Sequence, residues 1–242
     1  MARDPRSILI AVEGIDGAGK TTQVLMLKDA LEALGEVVVV SKEPTNGQWG
    51  RIIKQSASEG RHAPAEELDL FIKDRTEHVS NLISPALERG ETVILDRYFY
   101  STIAYQGCRG MAPAEVEERM RSLFPVPDAV FILDIEPELS TFRIAHSRGE
   151  EPNHFEERGN LARAREIFNQ LKGPEIYFID GSGSRTLVRD QIVDRFIRGP
   201  LKAHRCAKSY GCDNEMDCTV RLTGKCEWFN KARSLMAITK EV

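Results

Sequence analysis

The sequence predicts an α/β protein, a parallel five-stranded sheet with helices on both faces, plus a small C-terminal extension. Three observations point there. Short runs of branched apolar residues alternate with longer amphipathic stretches, the pattern of βαβ units with right-handed crossovers. The first strand-to-helix turn, residues 14–21, reads G-x-x-x-x-G-K-T. Beyond Arg198-Gly199-Pro200 the composition changes, and four of the five cysteines fall within residues 206–226. The expected division is therefore a nucleotide-binding domain over 1–199 and an extension over 200–242.

The elements follow in order. SILIAVE (7–13) reads as a buried strand, and residues 22–34, apolar at Val24, Leu25, Leu27, Leu31 and Leu34, as an amphipathic helix. The β-branched run 36–41 is a second strand, followed by turn chemistry at Pro44-Thr45-Asn46-Gly47. Residues 65–89 form one long helical stretch that ends at Gly90, and TVIL (92–95) is a third strand. A helix over 113–123 opens with proline, and DAVFILD (128–134) is the fourth strand. A helix over 137–146 leads to a polar stretch, 147–154. A helix over 161–171, a strand over 175–180 and a helix over 186–197 complete the body.

With 242 residues the chain can bury one sizeable core. The formal net charge of −4 argues against a nucleic-acid partner. It is unevenly spread, +3 beyond residue 200 and −7 before it. No apolar run approaches the length that spans a membrane. The first residues lead into the first strand without the apolar core of a signal peptide, so the expected compartment is the cytoplasm.

The glycine-rich turn gives the first chemistry. Between a strand and a helix, the backbone of Gly14, Ile15, Asp16, Gly17, Ala18 and Gly19 can wrap a phosphate chain at the positive end of a helix dipole. Lys20 would reach the outer phosphates of ATP, Thr21 would hold Mg²⁺, and Thr22 continues the same set. This is the signature of P-loop NTPases. Ligands of a parallel sheet bind beyond the carboxyl ends of its strands, so the polar loops at 14–21, 41–47 and 96–107 should converge on one cleft.

In that cleft Asp96 directly follows an apolar strand. It is placed to hold magnesium, or else to cap the following helix. Arg97 offers a planar fork for an acceptor phosphate, with a surface ion pair as the ordinary alternative. Phe71 and Arg75 stand one helical turn apart, where they could stack on a base and read its edge, or simply be core and rim. Arg143 and Arg148 flank the start of the polar stretch 147–154. They could close over the phosphates as a lid or remain solvated.

These residues match a known family. The chain resembles thymidylate kinases from about residue 8 to 196. Glu13 to Gln23 resembles the family's P-loop, and Lys42-Glu43-Pro44-Thr45 its R-E-P segment. Leu70-Phe71 with Arg75 resembles its base-binding helix, and Asp96-Arg97-Tyr98, Ser101-Thr102 and Ala104-Tyr105-Gln106-Gly107 its D-R-Y-x-x-S-x-x-A-Y-Q-G signature. Phe155-Glu156 followed by Arg165-Glu166 resembles the F-E…R-E pattern beyond the lid. The resemblance implies phosphorylation of dTMP by ATP with Mg²⁺, usually in a homodimer. It implies that Asp16 accepts from the sugar 3′-hydroxyl, Phe71 stacks on thymine, and Arg75 reads its edge. By the same likeness Arg97 and Ser101 belong to the acceptor site, Tyr105 crowds the sugar 2′ position, and Gln106 helps seat the base. Some members carry a catalytic arginine in the P-loop where this chain has Gly17. The likeness is to members whose lid supplies it, here through Arg143 and Arg148.

The chain departs from the family pattern in places. Lys42 stands for the usual arginine and loses its bidentate fork, and Asn153-His154 stands where Asp-Arg is common. Asn160 and Phe168 fill places that are usually aromatic or tyrosine. Cys206, Cys212, Cys218 and Cys226 have no counterpart. Their spacing lacks a C-x2-C knuckle, yet four soft ligands could bind Zn²⁺ or an iron–sulfur cluster, remain free thiols, or form disulfides, which a cytoplasmic chain rarely keeps. Two other functions stay open: a kinase for another deoxynucleoside monophosphate, and a nucleotide-binding sensor gated by the cysteine tail.

Overall fold

Burial of the first strand sets the architecture. Successive side chains of a strand point to opposite faces, and all six residues of β1 (Ile8–Glu13) are buried, so both faces of the sheet are covered. The computed structural model describes residues 3–4, 7–148 and 158–200, giving the backbone alone at 147, 148 and 158. Five parallel strands run in the order β2-β3-β1-β4-β5, where β2 is Val38–Lys42, β3 Thr92–Asp96, β4 Ala129–Asp134 and β5 Ile176–Asp180.

Helix α1 (Lys20–Ala33) packs against α9 (Arg185–Arg198). Helix α5 (Phe99–Cys108) packs with α3 (Pro64–His78), α6 (Pro113–Leu123) and α8 (Arg158–Gln170). Phe131 of β4 meets Phe196 of α9 edge-on at 6.4 Å, one of many wholly buried pairs. Each such ring contributes about 1.5–3 kcal/mol by leaving water. No described helix is long and apolar enough to cross a membrane.

The strands and most helices fall where the sequence places them, with ends moved by one to three residues. Three features differ. Residues 65–89 are not one regular helix: α3 passes through a π turn at Val79–Ile83 into α4 (Ser84–Glu88). Pro85 has no N–H to continue an α ladder, and the turn before it widens so that the Ser84 N–H reaches Val79 O.

Two further helices were not expected from the sequence. Helix α2 (Gln48–Glu59) contains Gly50, which reads as a breaker. A Cβ there would stand 2.2 Å from Thr45 O, so the glycine is what lets α2 lie against the 44–47 turn. Helix α5 is buried from Phe99 through Gly107 and shows no polar face to announce it. Further along the chain, α7 (Pro137–Arg148) runs two residues beyond its expected end.

Candidate active site

Sheet register assembles the site. Val12, Asp96 and Lys42 lie abreast across β1, β3 and β2, so the loops after these strands open on one edge. In the first loop Gly14, Gly17 and Gly19 all take positive φ. Neither a capping side chain nor an acidic residue satisfies the first N–H groups of α1, which leaves that helix start suited to an anion. Lys20 is buried, and its Nζ donates to Gly14 O (3.0 Å) and Ile15 O (2.7 Å). Burial and the Arg97 charge push its ammonium down to about 7, against the pull of Asp16, Asp96 and Glu13.

Asp96 ends β3 beneath this loop. The Thr21 hydroxyl donates to its Oδ2, and Lys42 Nζ stands 3.2 Å from the same oxygen. Its Oδ1 is buried with no hydrogen-bond partner among the described residues. Burial alone would raise Asp96, but Lys20, Lys42 and the Thr21 hydroxyl hold it below the ordinary aspartate value. A hard carboxylate oxygen left unpaired beside a hydroxyl is a donor set that fits Mg²⁺.

The turn after β3 turns Arg97 into the cleft. Arg97 has φ +73°, and no other described residue except glycine has positive φ. Its Nη2 donates to Asp16 Oδ1 (2.6 Å), its Nη1 to Ser101 Oγ (3.0 Å), and its guanidinium lies 5.5 Å from the Tyr105 ring. The Tyr105 hydroxyl donates to Asp16 Oδ2 (2.7 Å). Behind this turn sits Glu13, wholly buried. Burial pushes its carboxyl up to about 7, although Ser101, Arg97 and the Tyr98 N–H oppose the shift.

A cavity of about 310 Å³ opens from Asp16 and Arg97 toward Phe71, Arg75 and Thr102, with Ile53 and Ala57 of α2 on its side. Arg75 is 1% exposed. Its Nε and Nη2 contact Glu43 Oε2 (2.8 and 2.6 Å), and Nη2 also donates to Thr102 Oγ1 (3.0 Å). His78 Nδ1 lies 2.9 Å from Glu43 Oε1 and its Nε2 2.7 Å from Ser41 Oγ. The Arg75 guanidinium is thus held by Glu43 and Thr102.

A second cavity, about 640 Å³, extends from the P-loop to α7 and the 181–188 segment. Arg143 lines it and donates to Gly181 O (3.0 Å) and Ser182 O (3.3 Å). Asp16, Lys42 and Arg97 line both cavities, so the two meet at their most charged end.

The structure therefore gathers Asp16, Lys20, Thr21, Phe71, Arg75, Asp96, Arg97, Ser101, Tyr105 and Arg143 around one cleft. It does not bring Gln106 there. That side chain is wholly buried and donates to Glu67 Oε2 (2.5 Å), behind the cavity it was expected to line. The Arg148 side chain and Cys206, Cys212, Cys218 and Cys226 lie outside the described residues. Among the described residues no group of three or more His, Cys, Asp or Glu is arranged to hold a metal. Sequence reading missed Thr102, Ile53 and the Glu43–His78 clamp. Thr102 had a signal, since it stands beside Ser101 in the signature that begins at Asp96.

Known proteins resemble this chain over most of its length. A family model for thymidylate kinase matches residues 12–192. The thymidylate kinase of Xanthomonas euvesicatoria pv. vesicatoria is 50% identical over 187 residues, covering 77% of this chain and 82% of the relative. That of Xanthomonas oryzae pv. oryzae strain PXO99A gives the same identity and coverage. That of Xylella fastidiosa strain M12 is 46% identical over 184 residues, 76% of this chain and 84% of the relative. The chain belongs to the thymidylate kinase family.

Proposed function

We propose that this chain transfers the γ-phosphoryl group of ATP to the 5′-phosphate of dTMP, giving ADP and dTDP. The observation that supports this most is the junction of the two cavities at Asp16, Lys42 and Arg97. A donor phosphate chain on the P-loop and an acceptor phosphate on Arg97 would face each other there, as in-line transfer requires.

The acceptor phosphate oxygen attacks the γ-phosphorus, the bond to the β,γ-bridging oxygen breaks, and ADP leaves. Arg97 and Lys42 hold the acceptor phosphate. Lys20 exchanges its carbonyl partners for the outer donor phosphates. Arg143 and Arg148 add positive charge from α7. Phe71 stacks on the base, Arg75 reads its edge, and Ser101 steadies Arg97. The Tyr105 hydroxyl on Asp16 crowds the sugar edge, which favours deoxyribose. Thr21 and Asp96 would hold Mg²⁺, which would offset the negative charge of the donor phosphates.

The family resemblance further points to a homodimer. Residues 200–242 are an extension beyond the kinase domain; the family match ends at residue 192. The transfer needs nothing from their cysteines.

Substitution of Lys20 tests the donor half. Lys20→Ala is expected to lower kcat by about 10²-fold or more while dTMP affinity and the unfolding midpoint stay near those of the parent. Near-normal turnover would remove Lys20 from the donor site.

A further inference from the structure

Two chemistry-bearing residues sit apart from both cavities and yet touch what lines them. One is His78, which pairs with Glu43 behind Arg75. The other is Glu13, whose contacts reach further into the transfer site.

Glu13 ends β1, is 0% exposed, and lines neither cavity. Its Oε1 accepts from the Tyr98 N–H (2.7 Å) and the Ser101 N–H (3.2 Å), and its Oε2 accepts from the Ser101 hydroxyl (2.6 Å). Helix α5 starts at Tyr98 without a side-chain cap of its own, so a carboxylate from the neighbouring strand serves the helix start instead.

The direction of these bonds matters. In its ionised form Glu13 only accepts, so the Ser101 proton is committed to it and the Ser101 oxygen is left to accept from Arg97 Nη1 (3.0 Å). On its other side, the Arg97 N–H donates to Val12 O (3.1 Å), one residue before Glu13. Arg97 takes a left-handed backbone that a non-glycine residue rarely adopts unless its surroundings enforce it. The end of β1 enforces it from both sides.

We propose that Glu13 is a positioning residue for acceptor-phosphate capture, acting through the Ser101 hydroxyl to hold the Arg97 guanidinium toward the acceptor cavity. This rests on the reading of Arg97 as the acceptor-phosphate ligand. Glu13 touches no substrate.

The full-length Glu13→Gln variant tests it. Gln keeps the shape and can still accept the two backbone N–H bonds, but presents an amide N–H to Ser101. The Ser101 oxygen then accepts from Gln, and its proton swings toward the Arg97 N–H. The readout is the affinity for dTMP against that for thymidine, which has no phosphate for Arg97 to hold. We expect dTMP to bind about 10-fold more weakly, with thymidine and ATP affinities unchanged. Ser101→Ala should do the same, and the double variant should be no worse than the weaker single one, because both break one link.

If Glu13→Gln does not fold, Ser101→Ala alone reads that link. Equal weakening of dTMP and thymidine, or no change in either variant, overturns the proposal. Arg97→Ala separates the two failures. If it changes the dTMP-to-thymidine ratio while the other variants do not, Glu13 alone is misassigned. If it leaves the ratio unchanged, the Arg97 reading falls and the proposal falls with it.

Discussion

Arg75, which we propose reads the base edge, also bears on stability. Its guanidinium and the Glu43 carboxylate are 1% and 3% exposed, so each is the other's compensation. Removing one partner of a buried ion pair costs about 3–5 kcal/mol, because the other charge is stranded. Arg75→Ala should therefore lose about that much stability in denaturant unfolding, together with its dTMP affinity. Arg75→Met combined with Glu43→Gln should recover much of the stability but none of the affinity. Recovery of both would make Arg75 a packing residue and not a reader of the base. At this scale the sequence was informative in part. Asp16, Lys20, Asp96 and Arg97 stand in motifs whose spacing carries the chemistry. Glu43 stands in the Lys42-Glu43-Pro44-Thr45 segment, but its pairing with Arg75 and His78 is not legible there, because it exists only once β2 and α3 are side by side. Gln106 sits inside a recognisable motif and still faces Glu67, since a helix that is buried all round sends its side chains in every direction.

Among elements, the strands were legible because a buried parallel strand is a short branched apolar run bounded by turns. Helix α5 was not, for the converse reason: it has no wet face. Helix α2 was hidden by Gly50, whose use is visible only against Thr45 O. The same logic applies to α7 and the P-loop. Gly17 has φ +74°, and a Cβ there would meet Ser140 O at 2.7 Å, while the Ser140 hydroxyl donates to Asp16 O. A P-loop arginine at this position would have to displace the first turn of α7, which also carries Arg143. Gly17→Arg is thus expected to lower kcat and to cost about 1–3 kcal/mol in unfolding, rather than supply a catalytic charge. A variant as active and stable as the parent would show that α7 yields freely, and that its packing does not explain the glycine.

At the scale of the whole molecule, buried carboxylates tie the helices together and make stability depend on pH. Glu67 of α3 contacts Arg61 (2.5 and 3.0 Å), Arg109 (2.9 Å) and Gln106 of α5. Burial alone would raise it, but Arg61, Gln106 and Arg109 hold it below the ordinary value of 4.5. A depressed folded pKa means the contribution is complete above the unfolded value and is lost as pH falls through the folded one. Glu67→Gln should melt lower than the parent at pH 7 and lose less Tm on acidification from about pH 5 to pH 3. Parallel curves would place the acid sensitivity elsewhere.

The central claim is that donor and acceptor cavities meet to move one phosphoryl group onto dTMP. Steady-state transfer from ATP to dTMP, dUMP, dCMP, dGMP and dAMP in turn tests it most directly. The highest kcat/KM is expected for dTMP, with ADP and dTDP formed in equal amounts. Faster turnover of dCMP or dGMP would contradict the assigned substrate, and tight nucleotide binding without turnover of any monophosphate would contradict the reaction itself.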